Sequence, residues 1–128
     1  MNELTQEWVS KAEDDFKLAY LAMEAGEMPI PSGVCFHAQQ CAEKYLKAFL
    51  QEHQINFPRR HDLIPLLEMC LHVNSTFENL RDALVELEGY AVAIRYPGTS
   101  ISVELAKSAL VAVNRVRPFV RNLLGLMN

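Results

Sequence analysis

The chain has 128 residues, half of them apolar and 22% charged, which suits one folded domain and not a disordered segment. Its net charge of −4 argues against a general nucleic-acid sponge. No apolar run approaches the ~18 residues of a membrane span. The opening MNELTQEWVSKAEDD is acidic, where a signal peptide would be basic and then apolar. A cytoplasmic protein with no membrane attachment is expected.

Helical periodicity dominates, and no alternating run is bracketed by hairpin turn residues. Trp8, Ala12, Phe16, Ala19 and Met23 form the apolar stripe of a first helix, with Thr5 as its expected N-cap and an end near Gly26. Met28-Pro29-Ile30-Pro31 is a stiff connection, and a second helix is predicted from Ser32 to about His53. Phe57-Pro58-Arg59-Arg60-His61 reads as a loop. Asp62 can cap a short third helix that ends at Leu71, with Pro65 in its first turn, where the missing N–H costs least.

Ser75 and Glu78 have capping-box spacing for a fourth helix, whose inner face would hold Phe77, Leu80, Leu84, Leu87, Ala91 and Ile94. Arg95-Tyr96-Pro97-Gly98 then breaks the chain. Thr99 to Ser102 offer caps for a last helix reaching about Leu124, which Pro118 should kink or shorten. The expectation is a single all-α domain over 1–128, an antiparallel up-and-down bundle of four long helices plus one short helix.

Cys35, Cys41 and Cys70 are odd in number and lack zinc-like spacing, so they read as small apolar fillers. No metal or resident cofactor is expected. Charge is uneven: acidic residues crowd 1–27, whereas Arg95, Lys107, Arg115, Arg117 and Arg121 face Glu104 alone beyond Tyr90. That asymmetry fits an anion-binding end or partner surface, or simply solvated faces with basic residues near a helix C-terminus.

On the second helix His37, Gln40, Lys44, Lys47 and Gln51 fall within an arc of roughly 80°. This row can bind phosphate or carboxylate oxygens, or it is the wet face of an amphipathic helix, with Glu43 pairing Lys47 at i,i+4. Arg95-Tyr96 adds a guanidinium fork and an aromatic face on a stiff mount, or else packs and caps the bundle end. Asp15 falls on the apolar side of helix one, so a buried or intersubunit donor is expected for it. His61 reads as a loop anchor or a proton carrier.

The Trp8 helix with its Ala-Asp step, the block His37-Ala38-Gln39-Gln40-Cys41-Ala42-Glu43-Lys44, His61-Asp62-Leu63 and Arg95-Tyr96-Pro97 together resemble HEPN domains over roughly Trp8 to Leu124. The resemblance implies a compact helical bundle that dimerises and binds nucleotides. It also implies pairing with a minimal nucleotidyltransferase, as in some toxin–antitoxin systems. Several branches of the family are metal-independent ribonucleases with an Arg followed, after four to six intervening residues, by a His. Counting from Arg95, that place is taken by Ser100, Ile101 or Ser102, and His72 is the last histidine.

The leading expectation is therefore a non-catalytic module. It would bind a nucleotide or another phosphate-bearing ligand through His37, Gln40, Lys44, Lys47, Arg95 and Tyr96, as a homodimer partnered by a minimal nucleotidyltransferase. The alternatives are a metal-independent ribonuclease acting on RNA through Arg95 and His37 or His61, and a purely structural interaction protein.

Overall fold

The computed structural model describes residues 1–127, apart from the side chains of Val92 and Arg95. Among the described residues the chain is helical throughout: α1 Glu3–Met23, α2 Pro31–Glu52, α3 Leu63–Leu71, α4 Arg81–Arg95 and α5 Val103–Leu123. A 3-10 segment, Ser75–Leu80, precedes α4. No helix is long and apolar enough to cross a membrane.

α2 is the central element and packs against each of the other four α-helices. Its small residues Ala38, Cys41, Ala42 and Ala48 are fully buried, which lets neighbouring backbones approach closely. α1 returns along it: Asn2 meets the carbonyl of Gln51 at one end, and the Ile30 amide donates to Ala22 at the other. α5 runs against α4, with Ser108 on Glu86, and reaches the 3-10 segment, with Arg115 on the Asn79 carbonyl. It also runs against α1, with Asn114 on Tyr20 and Arg117 on Glu13. Phe49, Phe77 and Phe119 stack in sequence through the core, with centroids 4.6 and 5.2 Å apart.

Several helix ends differ from expectation. The N-cap of α1 is Asn2, whose carboxamide oxygen accepts from the Thr5 amide at 2.8 Å. Thr5 instead lies one turn inside, buried, with its hydroxyl on the same oxygen at 2.9 Å. α2 starts one residue early because Pro31 occupies the first helical position, where proline is pre-organised. The expected Ser75/Glu78 box does not form. Asn74 accepts from Thr76, and Glu78 turns outward to Arg81, so the first six residues wind as a 3-10 helix. α5 continues through Pro118 to Leu123 and is not shortened by it.

The start of α3 is satisfied from a distance. Asp62 occupies the N-cap position yet makes no side-chain capping bond. The Glu88 carboxylate of α4 accepts from the amides of Leu63 and Ile64 at 2.7 and 3.3 Å. A carboxylate at a helix N-terminus combines hydrogen bonds with a favourable dipole interaction. Replacing Glu88 with Ala is expected to lower stability by about 1–2 kcal/mol in urea unfolding, with an unchanged m-value.

Candidate functional site

The polar side of α2 is divided between two buried carboxylates. Asp15 of α1 accepts from Lys44 Nζ at 2.5 Å through one oxygen and meets His37 Nδ1 at 2.8 Å through the other. Glu43, 2% exposed, accepts from Lys47 Nζ at 2.9 Å and meets His61 Nδ1 at 3.2 Å. A neutral imidazole facing a carboxylate through Nδ1 donates from that nitrogen, which leaves Nε2 as the outer acceptor.

Lys47 therefore departs from its expected role as a phosphate ligand. It is 5% exposed, and its ammonium lies 5.4 Å from the Trp8 ring and 5.8 Å from the Phe57 ring. It is held by Glu43 and by two aromatic faces, a geometry that stabilises a cation withdrawn from water. The projected row failed here because helical projection shows which residues share a face, not whether a loop folds over that face. The 53–62 connection does so, through Phe57 on Trp8 and His61 on Glu43.

The concave feature lies one strip over. A cleft of about 410 Å3 is bounded by Phe36, Gln39 and Gln40 of α2, by His61 and Asp62 of the loop, and by Glu88, Ala91, Ile94 and Tyr96 at the end of α4. This volume is in the range of small-molecule sites. Of the six expected site residues, Gln40 and Tyr96 line it. His37 and Lys44 belong to the Asp15 cluster, Lys47 to the Glu43 cluster, and the Arg95 side chain lies outside the described residues. Phe36 and Gln39 were not anticipated. Their signal was an exposed aromatic at i with amides at i+3 and i+4.

An amide relay fixes the floor: Gln40 Nε2 donates to Gln39 Oε1 at 2.7 Å, and Gln39 Nε2 donates to the His61 carbonyl at 3.0 Å. Gln39 is 5% exposed and its side chain is committed to this relay. Gln40 keeps an N–H and its carbonyl oxygen for a ligand. Phe36 and Tyr96 are exposed aromatic walls. No group of three or more His, Cys, Asp or Glu among the described residues is arranged to hold a metal ion. Burial raises the Cys35 thiol to about 11, with the Glu86 charge adding to it, and the Cys70 thiol to about 12. Neither is a thiolate nucleophile near neutral pH.

The sequence's charge asymmetry closes on itself elsewhere. Arg117 bonds Glu13 through Nε at 2.7 Å and through its second donor at 2.6 Å, while Tyr45 donates to the same carboxylate. Arg121 lies 3.7 Å from it and bonds the Tyr45 hydroxyl at 3.1 Å. Arg117 also stacks 4.4 Å from the Phe16 ring. Two of the basic residues of the last helix are thus paired with one acidic residue of the first.

Compared with known proteins, residues 5–123 match the family model of the HEPN domain. The fold is similar to the crystal structure of ST0689, an archaeal HEPN homologue, with a TM-score of 0.74 and 23% identity over 95% of this chain and 98% of that one. No curated protein matches.

Burial opposes ionisation of Glu13, but the bonds from Arg117 and Tyr45 and the charges of Arg117 and Arg121 outweigh it and hold the carboxyl below its usual 4.5. A depressed carboxylate pKa contributes stability above the unfolded value and loses it as pH falls through the folded value. Glu13→Gln should therefore unfold more readily at pH 7 and show a shallower stability loss below about pH 4.5, read from thermal melts across pH.

Proposed function

The chain belongs to the HEPN family, and on that premise we propose that it is a dimeric, non-catalytic module that binds a nucleotide and docks a minimal nucleotidyltransferase, as in a toxin–antitoxin pair. The observation that carries the reading is the cleft between α2, the 53–62 loop and the end of α4. It combines stacking surfaces at Phe36 and Tyr96 with the amide of Gln40. A base slotted between rings and oriented by a side-chain amide is a recurrent mode of nucleotide recognition. Arg59 and Arg60, exposed and just before His61, supply charge for phosphate.

A dimer has a plausible seat on the outer side of α1, where Leu18 and Leu21 are 43% and 55% exposed. The ribonuclease alternative is favoured by one observation: His61 lines the same cleft, with its Nδ1 on Glu43, so that Nε2 can accept a proton. Against it stands the absence of a histidine after four to six intervening residues beyond Arg95, where Ser100, Ile101 and Ser102 stand. Cleavage of RNA without metal, abolished by His61→Ala, would replace the binding-module reading.

Calorimetric titration with nucleoside monophosphates should give saturable heat, and Tyr96→Ala should weaken it by about tenfold, the scale of one stacked base. A titration without heat and without a shift in melting temperature removes the reading. Sedimentation should show a dimer that Leu18→Glu converts to monomer.

A further inference from the structure

We propose that the cleft selects guanine over adenine, with the Asp62 carboxylate reading the donor edge of the base; this rests on the nucleotide reading above and names its specificity. The argument follows from which polar groups of the cleft are already committed. Gln39 spends its amide on His61 and Gln40. Glu88 spends one oxygen on the Leu63 and Ile64 amides. Asp62 stands at the same helix start, does not cap it, and makes no hydrogen bond or ion pair to the described residues. Because Glu88 caps α3 in its place, Asp62 is released to face a ligand.

An ionised carboxylate only accepts hydrogen bonds. A base edge presented to it must therefore offer donors, and two adjacent donors match its two oxygens. Guanine has that pair in N1–H and its N2 amino group, with O6 beside them as an acceptor for the remaining Gln40 N–H. Adenine offers one donor, its N6 amino group, and places the N1 lone pair against the other oxygen, so the carboxylate loses one bond and meets a repulsion. Discrimination of this polar kind exceeds what shape alone gives in an apolar slot. Phe36 and Tyr96, 44% and 62% exposed, stack either purine, so they add affinity and not selectivity.

The test is calorimetric titration of the full chain with GMP and with AMP, repeated on Asp62→Asn. This variant is nearly isosteric at an exposed position, and circular dichroism checks its fold. The expected result is GMP binding at least about tenfold tighter than AMP, with the preference falling to within about threefold in the variant, because Asn can donate to adenine N1. Equal affinities, or AMP the tighter, would overturn the guanine assignment while leaving nucleotide binding intact. A GMP preference unchanged in Asp62→Asn would overturn the role of Asp62. Absence of binding by both nucleotides would overturn this inference and the functional reading together.

Discussion

The structure depends on the burial of one carboxylate. Glu43 sits on the central helix at 2% exposure, where an uncompensated charge would cost several kcal/mol. Two cations or donors from different places answer it: Lys47, one turn along α2, and His61, from the loop beyond it. Lys47 is itself covered by Trp8 of α1 and Phe57 of the loop. One buried charge thereby ties α1, α2 and the 53–62 loop into a single unit. The position of His61 sets that of Asp62, and the two form one wall of the cleft. The site's geometry is thus a consequence of how the fold disposes of Glu43.

Asp15 repeats the device between α1 and α2, with Lys44 and His37 as its partners. Glu13 does the same between α1 and α5 through Arg117 and Arg121. In these two cases an acidic residue on one helix faces donors from another, and no buried side-chain nitrogen or oxygen among the described residues lacks a partner. Such pairs add little to net stability relative to apolar packing, but removal of one member leaves a charge stranded. They act chiefly on register: α1 has one position along α2 at which Asp15 meets both His37 and Lys44. A slip of one helical turn, about 5.4 Å, would end Asp15's simultaneous contact with both.

The helices were legible because their apolar stripes are long and regular; on α2 the residues Val34, Ala38, Cys41, Ala42, Tyr45, Ala48 and Phe49 are all buried. The donor for Asp15 was also foreseeable, since a carboxylate on an apolar face needs one. What escaped was non-local. Glu88 caps α3 from 25 residues away, and no local spacing marks it. Lys47 looked like a wet lysine because its dry environment comes from Trp8 of α1 and from the returning loop, neither of them local to α2. Thr5 has the chemistry of a cap, yet Asn2 stands where the chain enters the helix, and either residue satisfies the same composition rule.

The division of charges also bears on what the module binds. A row of lysines on a helix invites the expectation of a phosphate site, yet Lys44 and Lys47 are consumed by Asp15 and Glu43. The cleft beside them is lined instead by amides, aromatic rings and the carboxylates of Asp62 and Glu88. A phosphate placed deep in it would meet like charge, whereas a neutral base would meet stacking surfaces and acceptors. A nucleotide bound as proposed would have one sensible polarity here: base inward toward Gln40 and Asp62, phosphate outward toward the arginine-bearing loop. That orientation would separate recognition from charge neutralisation, and it would reconcile the proposed nucleotide site with a net negative chain.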